Sequence, residues 1–321
     1  MIYSVRHITT FRYESAVRES VMEVRMQPRS EGHQRCLRFT LDVTPGANIT
    51  QYCDPSGNTV HHFDIAGSHN ELKVVAHSTV QVQPPPVPIR SEAGDWSDLD
   101  AMTDGDEYYE MLMPSDFAHS SESLEKFAKE LRVERRNSPL ELLTELNETI
   151  YRSFSYVPNS TNVDSPIEDA LQSRRGVCQD FAHIMIALVR PLRIPCRYVS
   201  GYLFHRDDEN QKDRSLEGAS HAWIEAFIPH LGWTAFDPTN NLIGGIRHIR
   251  VAIGRDYADV PPTRGVHKGG AHGELSVAVT VSPSELPPPQ QTAPSIVIQS
   301  RPVYPRLSRT EREQQQQQQQ Q

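Results

Sequence analysis

The sequence predicts an α+β protein: an N-terminal antiparallel β domain, then a core of helices packed on an antiparallel sheet. Three observations carry this. Apolar and polar residues alternate in Ile2-Tyr3-Ser4-Val5-Arg6-His7-Ile8 and in Leu37-Arg38-Phe39-Thr40-Leu41, as half-buried strands require. The period becomes helical further on, where Leu124, Phe127, Ala128 and Leu131 fall at i, i+3, i+4 and i+7. Strand-like runs then return at 196–204, 221–228 and 233–237, the last two joined by the turn Pro229-His230-Leu231-Gly232.

Residues 1–83 read as the β domain, with a further strand over 72–80 and a turn at Asp54-Pro55-Ser56-Gly57-Asn58. Pro84, Pro85, Pro86 and Pro88 end it, because proline cannot donate to a strand ladder. Residues 84–115 read as an acidic linker. Its stretch 91–110 carries eight acidic side chains (among them Glu92, Asp95, Asp98 and Asp100) and no Lys or Arg. The glycine and closing glutamate of a calcium loop are out of register there, so a solvated connector is expected.

Residues 116–282 read as the core with a C-terminal strand extension. Ser138-Pro139-Leu140-Glu141 is a capping-box start, and Leu140, Leu143, Leu146 and Ile150 form one buried face. Ser165-Pro166-Ile167-Glu168 repeats the signal for a short helix that Gly176 is expected to stop. The run 181–189 is apolar nearly all round, which predicts a helix buried mid-domain, ended by Pro191. A charged loop over 205–218 separates the next two strands. Residues 283–321 hold seven prolines and finish in eight glutamines, Gln314 to Gln321, so disorder is expected.

Composition bounds the partners. Lys+Arg is 32 and Asp+Glu 41, a net charge of −9, which gives no bulk attraction to nucleic acid or anionic membrane. No apolar run reaches the ~18 residues of a spanning helix, and no signal-peptide pattern opens the chain, so the cytoplasm is the expected compartment. Cys36, Cys53 and Cys196 read as small apolar strand residues, without metal-ligand spacing.

The fourth cysteine stands apart. Cys178 lies in Gly176-Val177-Cys178-Gln179-Asp180-Phe181-Ala182-His183, at a predicted helix start. A free thiol, with a pKa of ~8.5, needs help to ionise at neutral pH. Unpaired helix N–H groups and a neighbouring imidazolium both give it. His221 begins one strand of a hairpin and Asp237 ends the other, so antiparallel pairing brings them to one edge. Asp237 then fixes the imidazole tautomer while His221 serves the sulfur. Cys178 attacks an amide carbonyl, helix-terminal N–H groups hold the oxyanion, and a thioester results. His183 is assigned to packing, and no metal or cofactor is expected, since the spacings of Cys178, His183, His221 and Asp237 match no zinc motif. A peptide- or protein-binding module without catalysis is the competing reading. The sequence is silent on oligomeric state.

At these residues the chain resembles the transglutaminase-like superfamily, specifically its bacterial two-domain branch. The motifs are Gly176 to His183, Ser200-Gly201-Tyr202, His221-Ala222-Trp223-Ile224-Glu225, Gly232-Trp233, Phe236-Asp237-Pro238-Thr239 and Gly254-Arg255-Asp256-Tyr257. The resemblance implies a papain-like core and a Cys-His-Asp triad of Cys178, His221 and Asp237. It implies crosslinkers, peptidases or amidases as relatives. The large calcium-dependent crosslinkers carry further β domains that this length cannot hold, so a peptidase or amidase acting on a peptide or protein amide is expected, with a protein-glutamine transglutaminase-type acyltransferase as the alternative. Tyr156, Gln179 and Trp223 are expected beside the substrate or the oxyanion.

Overall fold

Five strands open the chain: β1 (Ile2–Val24), β2 (Gln34–Thr44), β3 (Thr50–Cys53), β4 (Thr59–Ile65) and β5 (His69–Val82). The computed structural model describes residues 1–85, 93–206, 213–269 and 273–285. Most of the proline-rich stretch, Glu92, the centre of the charged loop and the tail from residue 286 with its polyglutamine lie outside the described residues. Alternate side chains of β5 are buried (Leu72, Val74, Ala76, Val80), as the period-2 pattern dictates.

The middle of the chain is helical: α1 (Trp96–Met102), α2 (Tyr109–Leu112), α3 (Glu122–Glu130) and α4 (Pro139–Ser153). Two short parallel strands, β6 (Ser155–Tyr156) and β7 (Arg175–Gly176), flank α5 (Ile167–Ser173), and α6 (Cys178–Val189) follows. The acidic connector is thus partly helical. Asp95 caps α1, and Asp100 makes a two-pronged pair with Arg135 at 2.7 Å for each oxygen. Ser138 caps α4 with Pro139 in its first turn, as expected. The matching signal at Ser165 works differently: its hydroxyl accepts from Asn162 N–H, and Pro166 holds the cap position of α5. Nor does Gly176 stop α5. Arg174 does so, in a left-handed conformation with φ 54°.

The second sheet follows: β8 (Cys196–Leu203), β9 (His221–Ile228), β10 (Gly232–Asp237), β11 (Leu242–Ile243) and β12 (His248–Gly254). Its order is β11-β10-β9-β8-β12, antiparallel throughout. Helix α6 lies against β8 and β9, and its apolar residues join Ala222, Ile224, Ala226 and Ile228 in the largest core. Gly201 in β8 is required by close approach, since a Cβ there would meet the Ile249 carbonyl at 2.2 Å and the Trp223 ring at 2.5 Å.

The chain then returns to where it began. β13 (Thr263–Lys268) and β14 (Gly273–Pro283) pair antiparallel with the two halves of β1, completing a first sheet in which β2-β5-β1-β4-β3 forms the main path. The C-terminal strand extension therefore belongs to the first sheet, a long-range pairing that leaves no local signal. Residues 1–286 form one packing unit. Buried polar clamps tie the first sheet to β12: Gln34 pairs with the Arg250 backbone and Asn58 with that of Ile253, at 2.8 Å per bond. Of the expected strand cysteines, Cys196 is buried, Cys36 half-buried and Cys53 exposed at the end of β3.

Candidate active site

Cys178 is the first residue of α6, half-buried, with Val177 at the cap position. The first intrahelical bond runs from Phe181 N–H to Val177 O, so the N–H groups of Cys178, Gln179 and Asp180 precede it. Such a terminus favours negative charge. Val177 N–H donates to Asp180 Oδ2 at 2.7 Å, and the Thr161 hydroxyl donates to the same oxygen at 2.6 Å. Burial raises the Asp180 carboxyl pKa against these two bonds. Gly176 makes this tight entry into α6 possible, since a Cβ there would stand 2.8 Å from Asp180 Oδ2.

Strands β9 and β10 bring in the other two groups. Phe236 pairs with Ile224, which leaves His221 and Asp237 at the same end of the hairpin. His221 Nε2–H donates to Asp237 Oδ2 at 2.8 Å, with both side chains sealed from solvent. Burial opposes a charged imidazole. The Asp237 carboxylate outweighs it, joined by the Cys178 sulfur, and the His221 pKa rises to about 10. Burial would also raise Asp237, but His221 and then His248 hold it far below the usual carboxylate range. With Nε2 committed to Asp237, Nδ1 is the ring nitrogen left for the sulfur. Nδ1 is buried and makes no closed hydrogen bond among the described residues, while Cys178 contributes to raising the His221 pKa. Such bonds are commonly loose before substrate binds.

Asp237 is held from five directions. Oδ1 accepts from the backbone N–H of Thr239 at 3.0 Å and of Asn240 at 3.2 Å. Oδ2 accepts from His221, from Asn240 Nδ2 at 2.8 Å and from His248 Nε2 at 3.3 Å. His248 begins β12, three strand spacings from β10, or about 14 Å in a flat sheet. The sheet curls to close that gap. Neither Asn240 nor His248 was expected from sequence. The Asp237-Pro238-Thr239-Asn240 run carries an Asx-turn signal that points to Asn240, whereas a single histidine opening a strand gives no signal at all.

The remaining expected residues separate. Tyr156, half-buried in β6, accepts from Leu216 N–H at 3.2 Å, and burial, followed by the charge of Cys178, pushes its hydroxyl up to about 12. Gln179 is buried and donates to Val163 O at 2.8 Å. Trp223, expected beside substrate, is fully buried behind the site, its ring edge-on to His248 at 5.1 Å and its N–H without a partner among the described residues. His183 packs as expected, stacked on Phe117 and accepting from Tyr257 N–H, its pKa lowered to about 3 by burial and then by Arg190.

His221 Nε2, Asp237 Oδ2 and His248 Nε2 are also close enough together to suggest metal ligands. The hydrogen bonding opposes it. Asn240 Oδ1 accepts from Arg214 N–H and Ser215 N–H, which fixes the amide so that its NH₂ points at the same carboxylate oxygen. The set is filled by donors.

The profile for the bacterial transglutaminase-like N-terminal region matches residues 3–81, and that for the transglutaminase-like superfamily core matches residues 125–238. An uncharacterised protein of Mycobacterium leprae is 33% identical over 278 residues, covering 87% of this chain and 97% of its own. The chain belongs to the transglutaminase-like superfamily. A Pseudomonas aeruginosa protein-glutamine gamma-glutamyltransferase is 28% identical over 126 residues, 38% of this chain and 19% of that protein. A Cytophaga hutchinsonii crystal structure, of a candidate cysteine protease, superposes with TM-score 0.71 at 24% identity, over 90% of this chain and 93% of that one. That likeness establishes the α+β fold. No helix among the described residues is long and apolar enough to cross a membrane.

Proposed function

We propose that this protein is a thiol-dependent acyl-transfer enzyme that cleaves amide bonds through a thioester on Cys178, as a peptidase or amidase. The observation that supports it most is the sealed His221–Asp237 pair, whose free ring nitrogen is left for a sulfur at a helix N-terminus. The Cys178 thiolate attacks the amide carbonyl carbon, and helix-terminal N–H groups receive the oxyanion. His221, protonated at Nδ1, gives that proton to the departing amine as the C–N bond breaks. Water then attacks the thioester while Nδ1 takes its proton, releasing the acid and restoring the thiolate. Asp237 keeps Nε2 protonated throughout. Tyr156, close enough to feel the charge of Cys178, lines the approach to the sulfur.

A second reading replaces water with an amine. It is favoured by the relative named protein-glutamine gamma-glutamyltransferase. One experiment addresses both. The full chain is incubated with amide and ester libraries and followed by intact mass. An acyl adduct on Cys178, absent in Cys178→Ala and released by water, is the expected result. Release only by added amines would convert the hydrolase into a transferase. Iodoacetamide labelling that is no faster at Cys178 than at exposed Cys53, and unchanged by His221→Ala, would leave a binding module without catalysis.

A further inference from the structure

Asp237 Oδ2 receives two imidazoles, and only His221 has a role in the chemistry above. His248 is 7% exposed and borders a cavity that Trp223, Trp233 and Arg250 also line. Its tautomer is fixed by its neighbours. Nδ1 accepts from Gly245 N–H at 3.4 Å, so the neutral ring carries its proton on Nε2, which faces Asp237 Oδ2 at 3.3 Å. The Trp223 ring packs edge-on against His248 at 5.1 Å and lies 5.9 Å from His221, so one indole supports both imidazoles. The carboxylate is therefore held between two rings, with the Asn240 amide as a third donor to the same oxygen.

Resting on the thiol-enzyme reading, we propose that His248 is a positioning residue: its Nε2–H shares the charge of Asp237 Oδ2 and so sets how firmly that carboxylate holds the proton of His221. A carboxylate relieved by a second donor attracts the imidazolium less. Take that donor away and Oδ2 keeps only His221 and the Asn240 amide, so His221 holds its proton to higher pH. The effect is a compromise. His221 must be protonated to expel an amine and neutral to activate water, and a proton held too tightly favours the first step over the second. Other charged groups face this cluster: Cys178 from α6, His205 beyond the end of β8, and the Asp213–Arg247 pair at 2.7 Å beside it. Arg247 and Asp213 are paired with each other.

The test uses the full chain with isotope-labelled histidine, its ring resonances followed from pH 5 to 11, and His221→Ala to identify the His221 signals. In the unaltered protein His248 should show a protonated Nε2 and an unprotonated Nδ1; the opposite tautomer overturns the proposal without any variant. His248→Phe, which keeps the bulk and removes the donor, should move the His221 titration upward by about 0.5–1 unit. His248→Gln, which can restore an N–H near the same place, should bring it most of the way back. An unmoved or downward His221 titration in His248→Phe, or equal shifts in the Phe and Gln variants, overturns the proposal and leaves His248 as packing. Failure of the underlying reading is separately visible: Cys178 alkylation would then be indifferent to His221→Ala.

Discussion

The two sheets are built by different rules. In the first, burial alternates along the strands, and charged side chains pair in water: Arg12 with Glu71, and Lys268 with Glu19. In the second, every residue of β8 and β9 is buried, yet those strands and their neighbours hold Arg197, Glu225, His221, Asp237 and His248. α6 covers one face of this sheet, and the clamps from Gln34 and Asn58 bring the first sheet against β12. The lesson is about dielectric surroundings. An ion pair in solvent is screened and adds little, whereas the same pair in a dry sheet needs a full set of partners and gains force over its neighbours. The candidate chemistry sits where charges are most costly to leave unpaired.

The largest effect should come from breaking that dry network. Glu225 accepts from Arg197 at 2.6 and 2.8 Å, with side chains 3% and 8% exposed, and Arg250 adds a third contact at 3.3 Å. Arg197→Met keeps the volume and removes the charge, leaving Glu225 with Arg250 alone. A loss of about 3–5 kcal/mol is expected from urea unfolding. A loss under about 1 kcal/mol would show that water reaches this face and would dissolve the contrast.

Next comes acidification, which probes the seam between the sheets. His7 of β1 bonds the Tyr202 hydroxyl of β8 at 2.9 Å and Thr9 at 3.2 Å, and burial lowers its pKa to about 4. Its folded value lies below the unfolded ~6.5, so the unfolded chain takes up the proton first. Its contribution is complete above about pH 6.5 and is lost as pH falls towards 4, on the order of 2–3 kcal/mol. His183, lowered to about 3, adds to the same trend in the core. His221 has the opposite sign: raised to about 10, it contributes fully below about pH 6.5 and its contribution disappears through pH 10. Stability should therefore peak in between. His7→Gln should flatten the acid side of the profile while leaving the alkaline side alone. An unchanged acid slope would mean that the seam is wet.

Much of this was legible in the sequence, for identifiable reasons. His221 and Asp237 stand at the two ends of one hairpin, so their meeting follows from short-range pairing, and Cys178 stands at its helix start by an equally local rule. His248 reaches Asp237 only because the sheet curls, and β13 and β14 reach β1 only after the whole core is folded. Such long-range geometry has no local signature. Local signals themselves can mislead: Ser138 and Ser165 open with the same serine-proline pattern, yet only Ser138 caps a helix. Trp223 was expected beside the substrate; the strand pleat puts it on the same face as His221, with its own side chain fully buried.

The smallest effect sharpens the contrast from the wet side. Arg12 Nε lies 3.0 Å from Glu71 Oε2, closer than many buried pairs, yet the two side chains are 63% and 49% exposed. Distance alone would rank this bond near that of Arg197 with Glu225. Solvent decides otherwise: each group gives up hydration and side-chain freedom for an attraction that water has already weakened. Arg12→Ala should cost less than about 1 kcal/mol, and that cost should shrink further in 0.5 M salt, where the screening length falls to about 4 Å. The Arg197→Met loss should survive the same salt, because ions cannot enter between β8 and β9. Matching salt dependence in the two variants would show that the second sheet is no drier than the first, and the argument for a shielded imidazole–carboxylate pair would lose its physical basis.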